Sequence, residues 1–261
     1  MSISKLLVAP LLYFISTVAV AEWTPTEPIN PSDVLNSAGE DRASGEYESA
    51  LQKHLWYHHN ALKHDPSQYG VRLSFALSDW ADLASKYPPA LTALLEEREI
   101  AEGKVRNGVD GYSSSFSDFA AINRRLNEHE PVVQLFKYLD REMPESARIN
   151  FKSARWSLIK SKDYELYTKY LDPESDILRI QASYLEELKL SEGTGHEEQF
   201  KKFAHDRYIG RVTVLVAVLS VTGDNAQAKK MYEKALEEMD TVELRESLDR
   251  ALTGEVPQLR A

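Results

Sequence analysis

Two histidines one helical turn apart, His54 and His58, are the residues of this chain best spaced to hold a metal ion. Side chains four residues apart lie on the same face of a helix, as the zinc-binding histidines of His-Glu-x-x-His motifs do. The residue after His54 is Leu55 rather than glutamate, and no third ligand stands at a regular spacing from the pair. We therefore predict no metal site, and a metal or small-ligand carrier that uses these histidines is an alternative.

The same segment is a candidate for contact with a partner. Trp56 lies between the two histidines, and aromatic side chains dominate the energetics of binding interfaces. Helical spacing also aligns His54 with Tyr47 and His58 with Leu51, so both histidines border an apolar face and packing is the other interpretation. We predict His54, Trp56 and His58 as partner-binding residues.

No catalytic signature stands out. Carboxylates that could serve in a glycosidase occur in runs at 96–99, 186–187 and 237–238, each on the polar side of an amphipathic helix with Lys or Arg nearby. Neither Gly-x-Ser-x-Gly nor Gly-x-x-x-x-Gly-Lys is present. We predict no catalysis and no cofactor. The alternative is a cell-envelope enzyme that acts on peptidoglycan or another glycan, which would need a facing pair of carboxyl groups.

Helices must position these residues, because apolar residues recur near the helical period and strand-like alternation is absent. A helix is predicted over 67–87, and Pro88-Pro89 ends it and starts the next. Ser115 followed by Asp118 predicts a capped helix start. Further helices are predicted at 131–142, 145–161, 163–171, 174–190, 197–221, 224–239 and 241–252. The predicted fold class is all-α.

Two further segments differ from their surroundings. Residues 191–196 are rich in small residues, which predicts an internal hinge or a long loop. The run Val212–Val221 is apolar but too short to cross a membrane, and it predicts a helix buried on all sides.

Two stretches share a pattern of turn, small residue and aromatic residue. Residues 222–236 contain a Gly-Asp turn, then Ala228, then Tyr232 opening an aromatic-x-x-Ala-Leu sequence; Asn225 stands where the pattern has Tyr. Residues 44–51 read Ser-Gly-Glu-Tyr-Glu-Ser-Ala-Leu and are followed by Ala-Leu-Lys-His-Asp-Pro. Both stretches resemble tetratricopeptide repeats, helix–turn–helix units that stack into a superhelix.

The resemblance implies an irregular tetratricopeptide-like α-α superhelix of about 10–13 helices that holds a partner on its concave face. A shorter match follows at Lys162-Asp163-Tyr164. In the stretch at 222–236 the closing proline of the repeat is replaced by Asp240, and the two stretches are irregularly spaced, so the repeats are not regular.

The N-terminus predicts export. Lys5 precedes an apolar stretch over 6–18, and Ala19-Val20-Ala21 has the small-x-small pattern that signal peptidase recognises. Three prolines in 22–32 recur at every third residue, which predicts an extended linker. The predicted organisation is a signal peptide at 1–21, a Pro-rich linker at 22–32 and a helical-repeat domain at 33–261.

Composition narrows the function further. The formal net charge of −10 disfavours nucleic acid and anionic membrane surfaces as partners. The absence of cysteine excludes disulfides and a lipid-modified N-terminal cysteine, and it favours a bacterial periplasm over a eukaryotic extracellular space. We predict a periplasmic binding or scaffold protein that holds a protein or peptide partner, with no membrane span after signal cleavage.

Overall fold

The computed structural model describes residues 23–108, 113–193 and 195–257, apart from the side chains of Ser113 and Ser114. Within these ranges the protein is all-α, as predicted, and contains no strand. A 3-10 turn at Pro66–Gln68 separates α2 from α3. Helices α1 to α13 span Pro31–Ser44, Tyr47–His64, Tyr69–Arg72, Phe75–Ala84, Pro88–Arg106, Ser113–Arg125, Glu130–Glu142, Pro144–Lys160, Tyr164–Tyr170, Pro173–Ser191, Glu197–Val221, Asn225–Glu238 and Val242–Leu252. The predicted signal peptide lies outside the described residues.

The chain divides into two compact units, with the boundary between Arg72 and Leu73. In the first unit α1 and α2 form a helix pair. The side chain of Asn30 caps α1 by accepting a hydrogen bond from the Ser32 backbone N–H at 3.0 Å. Three fully buried alanines allow the two helices to approach closely. They are Ala38, Ala50 and Ala61.

Three helix–helix turns have the same backbone geometry. In each turn a residue with positive φ precedes a residue whose φ lies between −85° and −80° and whose ψ lies between 60° and 66°. The backbone N–H of that second residue donates to the carbonyl five residues earlier at 2.9 Å, which closes the end of the preceding helix. The turns are Gly45–Glu46, Lys162–Asp163 and Gly223–Asp224. Glycine adopts this φ without strain, and Lys162 does so at a cost.

The single helix predicted over 67–87 is wrong, because the chain leaves the helical path between α3 and α4. The carbonyls exposed by this break accept hydrogen bonds from a distant helix, α6. Arg124 Nη2 donates to Leu73 O at 3.3 Å, and Arg125 Nη2 donates to Ser74 O at 3.2 Å. A contact across so many residues leaves no signal in the local sequence.

The predicted helix start at Ser115 is also wrong. Helix α6 begins two residues earlier, at Ser113, and Ser115 is a buried residue within it. By contrast α5 begins at Pro88, as predicted, and all seven helices predicted from residue 131 onward are confirmed to within one residue at each end.

The second unit has two hydrophobic clusters that share α11. One cluster joins residues of α5 to α9 with Val214 and Val218, and the other joins residues of α10 to α13 with Val212 and Leu219. All residues from 212 to 219 are buried, which confirms the predicted buried helix for that part of the run, but Val221 at its end is 43% exposed. Helix α11 therefore packs against both clusters along this run.

The segment 191–196, predicted as a hinge or long loop, joins α10 to α11 within the second unit, and residue 194 lies outside the described residues. None of the helices in the described ranges combines the length and the apolarity needed to cross a membrane.

Candidate binding surfaces

The three residues predicted to bind a partner lie in α2 and are buried. The exposed fractions are 1% for His54 and 7% for both Trp56 and His58. The Trp56 ring stacks on His64 at a centroid distance of 5.5 Å, and Nη2 of Arg72 lies 3.1 Å from Nε2 of His58. These contacts favour a packing role, and partner contact at the three residues stays a prediction.

Burial also controls the ionisation of His54. Removal from water, with a smaller contribution from the nearby Arg42 guanidinium, lowers the pKa of His54 to about 4. The side chain is therefore neutral at pH 7. In the described part of the chain, no group of three or more His, Cys, Asp or Glu side chains is arranged to hold a metal ion.

The second unit contains a cavity of about 470 Å³ among α8, α9, α10 and α11, which we name the cationic pocket. Six uncharged side chains line it, all apolar or aromatic. They are Trp156, Ile159, Tyr167, Ile180, Val214 and Leu215. Five charged side chains complete the lining, four of them cations. They are Lys152, Arg155, Asp176, Arg179 and Arg211. The lining has three more positive than negative groups in a protein whose net charge is −10.

Asp176 is the carboxylate of the pocket and is only 3% exposed. One of its oxygens accepts from Arg155 and the other accepts from Arg179. The Arg155 guanidinium also lies over the Tyr167 ring, 5.5 Å from its centroid. Burial opposes the charge on Arg155, but Tyr167 and Asp176 outweigh it and raise the pKa of Arg155. Arg155 therefore remains charged beside the buried carboxylate.

Two other cations of the pocket have no carboxylate of their own. Neither Lys152 nor Arg211 has a salt-bridge partner among the residues that the structure describes. Lys152 is exposed and Arg211 is partly buried. Burial, and then the neighbouring Arg207, lower the pKa of Arg211, and the more distant carboxylates of Glu187 and Asp176 offset this only in part.

A second feature lies near the junction of α10 and α11. Three large apolar side chains are exposed there, Leu190 by 70%, Phe200 by 49% and Phe203 by 58%. Helices α10 and α11 run antiparallel, since Tyr184 packs on Tyr208 and Glu187 pairs with Arg207. Leu190 and Phe203 lie beyond the Glu187–Arg207 pair, on the side towards the loop. We name these three residues the apolar strip.

The two phenylalanines of the apolar strip and Arg211 of the cationic pocket lie on one face of α11. Phe200, Phe203, Arg207 and Arg211 follow one another at intervals of three or four residues, which is the spacing of one helical face. The rise of a helix places Phe200 about 16 Å from Arg211 along this face. Between them the 3.0 Å ion pair of Glu187 and Arg207 joins α10 to α11.

Neither the cationic pocket nor the apolar strip is predicted from the sequence. The pocket draws on four helices, so no local spacing reports it. A partial signal was present on α8, where Lys152, Arg155, Trp156 and Ile159 recur at one-face spacing and mix cations with apolar residues. The carboxylate runs considered for a glycosidase do not line the pocket, whose carboxylate is Asp176.

Comparison with known proteins gives no further guide. The chain matches no protein-family model, and no curated protein and no solved structure is significantly similar to it.

Proposed function

We propose that the protein is exported to the periplasm, loses its signal peptide, and acts there as a non-catalytic binding or scaffold protein that holds a protein or peptide partner. The observation that carries this proposal is the apolar strip. Exposed apolar patches beside charged side chains are typical of surfaces that bind other proteins. Phenylalanine and leucine bury large apolar areas when such a surface is covered.

The surroundings of the strip support a specific contact. The Arg207 guanidinium lies 5.8 Å from the centre of the Phe203 ring, and Glu187 fixes Arg207 in turn. Charged groups at the edge of an apolar patch orient a partner and disfavour non-specific association. His196 and Gln199 add hydrogen-bonding groups to a 350 Å³ depression that they form with Phe200 and Phe203.

The repeated turn geometry supports the architecture that we propose, a tetratricopeptide-like α-α superhelix. The turns at Gly45–Glu46, Lys162–Asp163 and Gly223–Asp224 coincide with the three sequence stretches that resemble this family. In each, a residue at positive φ reverses the chain between two helices. Stacked helix pairs of this kind present extended surfaces that suit protein and peptide partners.

Site-specific photo-cross-linking in the native cell envelope tests the proposed function. A photoreactive phenylalanine analogue replaces Phe203 in one variant and Val242, an exposed residue of α13, in the control. We expect a discrete cross-linked species at Phe203 that is absent at Val242, since the partner covers the apolar strip.

A second variant pair tests whether the strip supplies affinity. Phe203→Ser should lose the partner in a pull-down, and Val242→Ser should keep it. Both positions are exposed, so each change should alter the free energy of unfolding by no more than about 0.5 kcal/mol. Equal cross-linking at the two positions, or recovery of the same partner by both serine variants, would remove the support for this surface.

A further inference from the structure

The cationic pocket combines apolar surface with two cations, Lys152 and Arg211, that form no salt bridge with any residue the structure describes. The charged side chains of the pocket lie at two different depths. Arg155, Asp176 and Arg211 are partly or fully buried, whereas Lys152 and Arg179 are exposed at the edge. The inner groups sum to one positive charge, because Asp176 offsets one arginine. An occupant with a single negative charge would therefore balance the interior.

Two residues that line the cationic pocket carry donor groups without acceptors. Nε of Arg155 and Nε1 of Trp156 are buried and have no hydrogen-bond partner among the described residues. Both nitrogens are closed off from solvent, so they carry a desolvation cost but do not face the pocket space. The partly buried Arg211 guanidinium supplies the donors that an occupant can reach, since it forms no salt bridge with a described residue.

The apolar half of the pocket lies one helical turn from these donors. On α11, Val214 and Leu215 follow Arg211 by three and four residues, and on α8 Ile159 follows Arg155 by four. One turn is about 5.4 Å, so the negative group and the apolar group of the occupant must be close together. A phosphate with its larger charge and hydration fits this interior less well than a carboxylate does.

From this arrangement we propose that the cationic pocket binds a small organic acid, one carboxylate joined by a short link to a compact branched or aromatic group. The carboxylate pairs with Arg211, and the apolar group packs against Ile159, Val214 and Leu215 beside the Trp156 ring. This small-molecule site is separate from the proposed partner surface, because no residue of the apolar strip lines the pocket.

The test uses the full chain after signal removal and four pure compounds. Two are carboxylates, 3-phenylpropanoate and 4-methylpentanoate, and two are comparisons, 3-phenylpropanamide and phenyl phosphate. Calorimetric titration should give a Kd of about 1 mM or tighter for the carboxylates. The amide and the phosphate ester should bind at least about tenfold more weakly.

The indole N–H signals of the four tryptophans locate the binding event. Trp156 should shift on addition of 3-phenylpropanoate, whereas Trp80, whose Nε1–H already donates to Ala90 O at 3.0 Å, should not. Arg211→Gln should weaken binding about tenfold or more. Arg141→Gln, at an exposed position of α7 outside the pocket, should bind as the unaltered protein does.

Lys152→Gln provides a second variant at an exposed position, where misfolding is not expected. It should weaken binding by a smaller factor than Arg211→Gln. Three results would overturn the proposal: no binding by either carboxylate, equal binding of the carboxylate and its amide, or tighter binding of phenyl phosphate. Any of them would leave the proposed partner surface intact.

Discussion

Asp176 joins α8 to α10, because its single carboxylate binds two arginines. Arg155 belongs to α8, whereas Arg179 follows Asp176 within α10. A buried ion pair adds little net stability, because desolvation of the charges offsets their attraction. Removing only the negative partner is costly, since a partly buried guanidinium is then left without compensation.

We therefore expect Asp176→Asn to lower the free energy of unfolding by about 2–4 kcal/mol, less than the loss of a fully buried pair because Arg179 stays in contact with water. The matched control is Asp206→Asn in α11, where an exposed carboxylate pairs with Lys202 four residues away at 2.8 Å. That change should cost no more than about 0.5 kcal/mol. Urea unfolding measures both, and equal losses would contradict the role given to Asp176.

His54 gives the first unit a specific pH dependence. Its pKa is about 4 in the folded protein and near the ordinary 6.5 after unfolding. Between these values the unfolded chain binds the extra proton, so the free energy of unfolding falls as the pH falls from about 6.5 towards 4. Full protonation corresponds to a loss of about 3 kcal/mol, and the contribution is constant above about pH 7.5.

Replacement by a residue that does not titrate isolates this effect. The difference in free energy of unfolding between the unaltered protein and His54→Gln should shrink by about 3 kcal/mol from pH 7.5 to below pH 4. Hydrogen exchange of the α2 amides reports the first unit directly. Parallel pH profiles for the two proteins would mean that His54 is not buried as the structure describes.

The position of His54 and His58 could be predicted in part from the sequence. Helical spacing aligned His54 and His58 with Tyr47 and Leu51, which indicated that both histidines border an apolar face. The structure places both in the interior of the first unit. Spacing could not reveal Arg72, whose guanidinium contacts His58, because Arg72 comes from another helix.

At the scale of elements, the helix pair α11–α12 tests the repeat resemblance. Ala228 is fully buried, as expected for the small residue where the second helix of a repeat crosses the first. Gln227, which the repeat pattern places towards solvent, is instead partly buried, with its Oε1 atom inaccessible. Ala226 is exposed and is the better position for comparison.

We expect Ala228→Leu to destabilise the protein by about 1–3 kcal/mol, because three added carbons must fit between closely packed helices. Ala226→Leu makes the same chemical change two residues away and should stay within about 0.5 kcal/mol. Helix propensity changes little in either case. Urea midpoints that coincide for the two variants would show that Ala228 is not at a helix crossing.

Local sequence is sufficient to predict where many of the helices begin. Helices α7, α8 and α10 begin with proline in the first turn, and Asp163 and Asp224 cap the helices that follow them. These residues act on the few residues next to them, so the helix starts that they mark could be predicted. The carbonyls at the break between α3 and α4 accept hydrogen bonds from Arg124 and Arg125, which are distant in sequence, so neighbouring residues carry no signal of these contacts.

At the scale of the whole molecule, the division at Arg72–Leu73 separates two sets of buried contacts. Both hydrophobic clusters that contain α11 consist of residues from 101 onward. The preceding helices of the second unit have their own anchor, Trp80, which is 1% exposed and donates to Ala90 O. The second unit therefore carries a core of its own, and a domain with its own core can fold alone.

We expect a fragment of residues 73–261 to fold cooperatively without the first unit. Its far-ultraviolet circular dichroism should be that of a helical protein, and urea should unfold it in a single sharp transition. The amides of α8 and α11 should exchange at the rates measured in the full chain, because their buried neighbours all belong to the fragment. A gradual transition, or faster exchange at Val214 and Val218, would show that the core around α11 depends on residues before Leu73. The pocket would share that dependence, since Val214 lines it.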